Sequence, residues 1–433
     1  MRISNPSGEK PFRILNKRPS ILSLIFLCMN LQAAQLEVGP GKTYGSIKEA
    51  ISSAAARDTL LIYKGTYREG TIEINKPLVL TGINGPVLDG ENEYEILQVR
   101  ADSVVIRALT FKDVGVSYVE DRSAIRLIRS KHCTIESNRL NNAFFGIYLE
   151  HCRDCLIRDN RIIGIAGNEM NSGNAIHLWY CRNIRILGNH AEGHRDGIYL
   201  EFVDNSSVEH NTVVDNIRYG LHFMFSDHDR YVANHFESNG AGVAVMFSKY
   251  IRMEDNDFTD SWGSSAYGLL LKEITDSEIR FNRFRGNTTG IYGEGVNRTS
   301  VLNNDFSRNG WALNILGSCA DNTFRRNNFM NNTFDVSTNT SRNYNNYDGN
   351  YWSDNTAGYD LDSDGISDVP YRPVKLFSYM VGNIPSTTIL MRSLLVDLIN
   401  HAEKVAPVIT PHNLLDHEPM MSEIDHDRDQ GTE

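Results

Sequence analysis

The chain has 433 residues, 41% of them apolar, which is enough for a long core and excludes wholesale disorder. Its 43 basic and 54 acidic residues give a formal net charge of −11. That balance argues against nucleic acid as a partner, and it permits cation binding without requiring it.

Residues 1–34 read as a secretion signal. Arg2, Lys10, Arg13, Lys17 and Arg18 form a basic stretch, residues 21–29 an apolar run, and Ala33-Ala34 a small-residue cleavage site. The apolar run is too short for an ordinary membrane anchor. Leu27 before Cys28 is too bulky for a lipoprotein signal. No later segment reads as transmembrane.

Residues 35–98 read as an N-terminal cap with the first turns of a solenoid. Residues 46–56 have a helical pattern, with Ile47, Ala50, Ile51 and Ala54 on one side. Such a helix is expected to cover the first apolar rung of a repeat array. Short strands follow at 59–63, 71–74 and 78–81.

Residues 99–355 form the array, with regular repeats to Thr338. Asn138, Asn160, Asn189, Asn211, Asn234, Asn256, Asn282, Asn304 and Asn327 recur mostly every 22 or 23 residues. A period in this range, with period-2 segments between Asn/Gly/Asp turns, means stacked strands. The fold is expected to be all-β, a parallel β-helix solenoid with an N-terminal capping helix and a C-terminal helical extension. The asparagine column is expected to be structural, its amides bonding from rung to rung. Ile135, Ile157, Ile186, Val208, Tyr231, Met253, Ile279, Val301 and Phe324 make one inward column. Two repeats carry extra residues, at 165–172 and 261–266. Insertions in solenoids become loops on one face.

Segments such as Gly146-Ile147-Tyr148-Leu149-Glu150 point apolar residues inward and the alternate ones outward. Aligned repeats give two outward columns. The first is Tyr148, His177, Tyr199, His222, Ala244, Leu270 and Tyr292. The second is Glu150, Trp179, Glu201, Met224, Met246, Lys272 and Glu294. Two methionines thus fall on neighbouring rungs, with His222 two residues before Met224. Thioether and imidazole groups suit Cu(I). Met224, Met246 and His222 are therefore the main copper candidates, and His177, His194 and Glu201 are secondary ones. Ordinary apolar contact beneath a loop or subunit accounts for the same methionines equally well.

Cys133 and Cys155 share one column, and Cys152 and Cys181 another. Adjacent-rung spacing lies within the disulfide range, although side-by-side strands strain the bond. A disulfide pair and a reduced ladder both fit an exported protein.

Residues 356–373 hold an acidic turn. Asp360, Asp362, Asp364 and Asp368 occupy positions 1, 3, 5 and 9 of an EF-hand-like loop with Gly365 at the sharp turn, but position 12 lacks its Glu. The pattern suits calcium or a plain Asp/Gly turn. Residues 374–421 read as a C-terminal helix, over 386–404, and a partner-docking extension. Residues 422–433 read as a disordered tail.

The stretches Gly220-Leu221-His222-Phe223-Met224-Phe225-Ser226 and Val243-Ala244-Val245-Met246-Phe247-Ser248 resemble the paired motifs of the NosD family of nitrous oxide reductase maturation proteins. So do Arg195-Asp196-Gly197-Ile198-Tyr199-Leu200-Glu201-Phe202 and Gly349-Asn350-Tyr351-Trp352-Ser353-Asp354. The tail is similar too, through Asp364-Gly365-Ile366, Pro370-Tyr371-Arg372-Pro373, Pro407-Val408-Ile409-Thr410-Pro411 and Asp416-His417-Glu418-Pro419-Met420. The resemblance covers nearly the whole mature chain, and its specific parts are the methionine motifs and the C-terminal region.

The resemblance implies a right-handed β-helix in the periplasm, held at the inner membrane through an ABC-type permease and ATPase. It implies copper received from a copper-chaperone lipoprotein and delivered for the copper centres of apo nitrous oxide reductase, by a protein that is not an enzyme. The copper ligands are read from the columns, not from the resemblance. Two other readings stand beside this one. A carbohydrate-active β-helix, such as a polysaccharide lyase or epimerase, would use carboxylates like Glu150, Glu201 and Glu294. A metal-free scaffold would hold permease and reductase together.

Overall fold

The computed structural model describes residues 33–117, 119–165, 167, 169, 172–390, 393–405 and 412–426. The expected signal, except its last two residues, lies outside the described residues, as do the 407–411 motif and residues 427–433.

Each repeat folds as three short strands joined by corners, and successive repeats pair in register. The result is three parallel sheets of 13, 12 and 13 strands, which together make a parallel β-helix. The expected inward column is one of its internal ladders: Ile135, Ile157, Ile186 and Val208 are partnered in turn. The pairing continues through Tyr231, Met253, Ile279, Val301 and Phe324. A second ladder stacks rings, with Phe236, Phe258, Phe284, Phe306, Phe329 and Trp352 at centroid spacings of 5.5, 4.6, 4.8, 5.0 and 4.1 Å.

The asparagines make the corner between the first and third sheets. Each follows a residue in the left-handed region, for example Asp159 (φ 54°), His210 (φ 54°) and Ala233 (φ 53°). A non-glycine residue there costs roughly 1–2 kcal/mol. The amide ladder offsets that cost. Asn160 donates from Nδ2 to the Ile135 carbonyl at 3.0 Å and to Asn189 Oδ1 at 2.9 Å, and its own oxygen accepts the Asn138 N–H at 3.0 Å. All these groups are buried, where an unmade bond would cost most. The ladder runs one rung past the last regular repeat, to Asn350.

At the N-terminus the helix is shorter than 46–56. It spans Ile47–Ser53, with Ser46 capping it and Ile47, Ala50 and Ile51 buried. The Glu69 carboxylate accepts the backbone N–H groups of Ile47 and Lys48 at 2.8 and 2.9 Å, fixing the helix against the next turn of chain. The chain leaves the helix at Ala54 in extended conformation. The sheets begin at Gln35–Val38, so strands of the cap and of the array form one continuous stack.

The C-terminal helical pattern is broken rather than continuous over 386–404. A 3-10 turn covers Pro385–Leu390 and an α-helix covers Leu394–Val405. Pro385 follows the end of another helix, Leu376–Asn383, and β-branched Thr387, Thr388 and Ile389 disfavour an α-helical run. Phe377, Val381 and Val396 pack with Phe334 over the last rung. The tail is not free from 422 onward. Ile424 is buried, its N–H bonds Asn328 Oδ1, and its carbonyl accepts the Asn328 amide, both at 2.9 Å.

Candidate metal-binding face

The second sheet carries both outward columns in the expected register. Tyr148, His177, Tyr199, His222, Ala244, Leu270 and Tyr292 are partnered in sequence, as are Glu150, Trp179, Glu201, Met224, Met246, Lys272 and Glu294. Met224 and Met246 are direct partners on the neighbouring strands Tyr219–Met224 and Ala241–Met246. Both are half-buried. Adjacent strands lie about 4.8 Å apart, so two thioethers on them can face one ion.

The first column is covered rather than exposed. His222 is 3% exposed and His177 is 8% exposed. The covering groups are large rings on the same face. Tyr199 and Tyr219 each pack on His222 at a centroid distance of 4.8 Å, and Tyr148 packs on His177 at 4.4 Å. Strand alternation fixes which side a residue takes, but not the bulk of its neighbours.

The two histidines differ chemically. The Arg195 guanidinium donates to Asn174 Oδ1 at 3.2 Å, which turns the Asn174 amide N–H towards His177 Nδ1, also at 3.2 Å. His177 therefore uses Nδ1 as an acceptor and keeps its proton on Nε2. Burial, then the charge of Arg195, pushes its pKa down to about 3. His222 makes no hydrogen bond at either ring nitrogen, although both are buried. Its Nδ1 lies 4.0 Å from the carboxylate of Asp196, which is itself fully buried. Arg218 grips that carboxylate through Nε at 3.0 Å and Nη2 at 2.6 Å. Burial alone would raise the Asp196 pKa, but the His222 ring and the Arg218 guanidinium hold it below the usual carboxylate value. Metal-binding histidines donate their second ring N–H to a carboxylate, and Asp196 is the carboxylate nearest to His222 Nδ1, at 4.0 Å without a hydrogen bond.

His194 stands elsewhere. Its backbone N–H bonds Asn216 Oδ1 at 3.0 Å, in a second asparagine corner that continues through Asn239 and, further on, Asn287, Asn309 and Asn332. The ring is buried, with Nδ1–H donating to the Glu192 carbonyl at 2.9 Å, and burial pushes its pKa down to about 4. His194 thus occupies an asparagine position in the corner before strand Asp196–Glu201, and the structure does not bring it to the methionines. Glu201 is the rung partner of Met224 and Trp179.

The insertions flank these rungs. They precede the strands Asn174–Trp179 and Tyr267–Lys272, two rungs before Met224 and one after Met246. Glu169 of the first acts electrostatically on Arg218 and Tyr219.

Sequence reasoning missed an outer aromatic ladder. Tyr180, Phe202, Phe225 and Phe247 stack at 4.5, 5.3 and 5.1 Å, and all four are substantially exposed. Each holds φ between 50° and 53°. Phe225 and Phe247 directly follow the two methionines and wall that side of the face. The signal was present, as four aromatics in one column immediately after the second outward column.

The carboxylates of the face are spaced apart. Glu150 pairs with Arg126 at 2.9 Å and Glu294 with Lys272 at 3.4 Å, and Trp179 separates Glu150 from Glu201. A paired acid and base, as sugar chemistry uses, is not what this column provides.

In the acidic turn, carboxylate oxygens of Asp360, Asp362 and Asp364 lie within 4.8 Å of one another. Repulsion from Asp364 pushes the Asp362 pKa up. Asp360 accepts backbone N–H groups from Ser363 and Gly365, and Asp368 accepts that of Leu361. The structure thus gathers three of the four expected aspartates, while Asp368 is used to close the turn.

A parallel β-helix with a paired-methionine and histidine face on one sheet is the class that fold and columns define. Sequence similarity supports membership of the NosD family. Residues 163–357 match the family model described as periplasmic copper-binding protein (NosD). Two relatives, each named probable ABC transporter binding protein NosD, are 28% identical. The Stutzerimonas stutzeri protein aligns over 82% of this chain and 84% of its own length, and that of Pseudomonas aeruginosa over 81% and 86%. Among solved structures, a family 28 exopolygalacturonase of Yersinia enterocolitica superposes with a TM-score of 0.58 at 11% identity, over 73% of this chain and 78% of that one. PfbA, a surface adhesin of Streptococcus pneumoniae, does so at 0.51 and 10% identity, over 68% and 88%. These likenesses concern the fold alone. Among the described residues, no helix is long and apolar enough to cross a membrane.

Proposed function

We propose that this chain is a periplasmic copper-binding maturation factor. It takes up Cu(I) at Met224, Met246 and His222 and hands it on for the copper centres of nitrous oxide reductase, working with an ABC transporter of the inner membrane. The observation that carries the reading is the pairing of Met224 with Met246, beside a buried His222 whose ring nitrogens make no hydrogen bond. Soft thioethers and a neutral imidazole prefer Cu(I) to calcium, magnesium or zinc. The family description and the relatives' names support both the metal and the transporter. His177 and Glu201 line the approach to the site; His177 has its own partner and contributes packing.

Copper arrives from a copper-chaperone lipoprotein and leaves to the apo reductase. The helix Leu394–Val405 exposes Leu394, Leu395 and Leu398, and this apolar edge is the surface we assign to the transporter, which holds the protein at the inner membrane. The turn at Asp360, Asp362 and Asp364 holds calcium in a structural role.

The test is Cu(I) affinity, measured by competition with a chromophoric chelator, for wild type and for the variant Met224→Ala/Met246→Ala. The variant should bind at least tenfold more weakly, and an unchanged affinity overturns the site. Copper loading of the reductase in a strain lacking this protein tests the role separately.

A further inference from the structure

Four of the five cysteines of the array form a second arrangement that the methionine face does not use; the fifth, Cys319, stands apart from them in sequence. Cys133, Cys152, Cys155 and Cys181 are all buried free thiols. They lie in three successive copies of one corner, the corner that leads from the second sheet to the first. Cys133 and Cys155 immediately precede the paired residues Thr134 and Leu156, so they stack rung on rung. Cys152 and Cys181 immediately precede the paired corner residues Arg153 and Arg182, so they stack likewise.

Hydrogen bonding explains a single cysteine here, but not the pairing. Each thiol contacts backbone carbonyls, as Cys152 does with Leu127 and Glu150, and Cys181 with Leu149 and Trp179, all at 3.4 Å. Further along, Ser226 and Ser248 in the Cys152–Cys181 column, and Ser206 and Ser277 in the Cys133–Cys155 column, bond carbonyls in the same way. Serine therefore suffices for the corner. Two stacked cysteine pairs within three rungs call for a different reason.

The spacing between rungs supplies one. Side chains stacked on adjacent parallel strands stand about 4.8 Å apart. A disulfide wants its Cβ atoms at roughly 3.5–4.5 Å, so it would have to draw the rungs together. A linear sulfur–metal–sulfur bridge has no such conflict. With a metal–thiolate bond of roughly 2.3 Å, as for zinc, it spans about 4.6 Å. Two-coordinate thiolate binding is the chemistry of a soft monovalent ion, whereas zinc demands four ligands. Among the described residues no cysteine belongs to a group of three ligating atoms. The corner also supplies charge. The first of the two residues between the thiol columns is Lys131, Arg153 and Arg182 on these three rungs, and it becomes Asp204 and Asp227 on the next two.

We propose that Cys133–Cys155 and Cys152–Cys181 are two bis-thiolate sites for Cu(I), separate from the methionine face. Binding at each pair forms two copper–sulfur bonds and releases two thiol protons to solvent, leaving a centre of net charge −1 beneath the basic corner. No electron transfer is involved. The proposal rests on the thiol geometry and stands whether or not Met224 and Met246 bind copper.

The experiment titrates Cu(I) into the reduced mature protein without oxygen, reading stoichiometry by chelator competition and copper–thiolate charge transfer by ultraviolet absorption. It uses wild type, Met224→Ala/Met246→Ala, and the pairs Cys133→Ser/Cys155→Ser and Cys152→Ser/Cys181→Ser. Serine already occupies these columns, so the variants should fold, and circular dichroism checks this. We expect the thiolate band in wild type and in the methionine variant. Each serine pair should remove one equivalent and about half of the band. In wild type and in the methionine variant, Cu(I) should also protect all four thiols from alkylation. A missing band with unprotected thiols overturns the proposal, as does isolation of the native protein with both pairs oxidised to disulfides.

Discussion

Asp416 accepts the indole N–H of Trp352 at 2.7 Å, and this bond joins two motifs 64 residues apart. The same carboxylate accepts the backbone N–H groups of Gly349 and Asn350, both at 2.9 Å, and of Glu418 at 3.0 Å. Asp416 is fully buried, and Trp352 ends the internal ring stack. Both C-terminal motifs therefore serve one task, which is to clamp the returning chain onto the last rung. The edges of a solenoid's sheets need such closure, because an open rung exposes its apolar interior.

Replacing Asp416 by Ala should leave several buried N–H groups without acceptors, each worth roughly 1–3 kcal/mol. We expect a loss of about 3 kcal/mol or more, a lower Tm, and new proteolytic cleavage between residues 343 and 426. Limited proteolysis with mass spectrometry reads the site. Cleavage confined to the upper rungs would show that the clamp is not what holds the end.

Asn256 tests the ladder at mid-array. Its Nδ2 donates to the Tyr231 carbonyl at 3.0 Å and to Asn282 Oδ1 at 2.9 Å, and its oxygen takes the backbone N–H and the amide of Asn234, both at 3.0 Å. Asn256→Ala removes all four bonds in a buried place, so destabilisation of about 2–4 kcal/mol is expected. Stability in a repeat protein is nearly nearest-neighbour in character. Hydrogen exchange should therefore quicken at the rungs of Asn234 and Asn282 and hardly change at that of Asn138.

Periodicity made the rungs readable, because a fixed spacing converts sequence position into height along the stack. The outward columns, their register and the cysteine pairs all followed from it. Three things did not follow. Burial of His222 and His177 depends on Tyr199, Tyr219 and Tyr148 lying over them, and alternation does not report ring size. His194 has the composition of a ligand but the position of a corner asparagine, visible only once the second ladder is seen through Asn216. Ile424 sits in a polar tail whose composition suggests disorder, and two bonds to Asn328 decide otherwise.

The contrast between His222 and His177 gives a copper prediction. His222→Gln and Asp196→Asn should each weaken Cu(I) binding, the second by about 10–100-fold if the carboxylate orients the ring. His177→Gln should change affinity by less than about twofold, since its Nδ1 is engaged by Asn174. Asp196→Asn also leaves Arg218 without its carboxylate, so thermal melts must accompany the titration. Equal weakening by His177→Gln and His222→Gln would mean that the outer column acts by packing alone.

Asp335 gives a pH dependence whose sign can be worked out. It is buried, its Oδ1 accepts the Asn332 amide at 3.3 Å, and its Oδ2 has no hydrogen-bond partner. Burial, then repulsion from Asp354, pushes its pKa up to about 7 from an ordinary 3.8. Below about pH 4 the carboxyl is protonated folded or unfolded, and the group's stabilising contribution is fully present. As pH rises towards 7, the unfolded chain ionises while the folded one resists, so that contribution is progressively lost. The loss amounts to about 4 kcal/mol at most. Asparagine has the shape of the protonated acid without its charge. Asp335→Asn should therefore raise Tm at pH 8, change it little at pH 4, and flatten the difference between them. A variant melting lower than wild type at pH 8 would mean that the carboxylate is stabilised there by the nearby Lys375 ammonium.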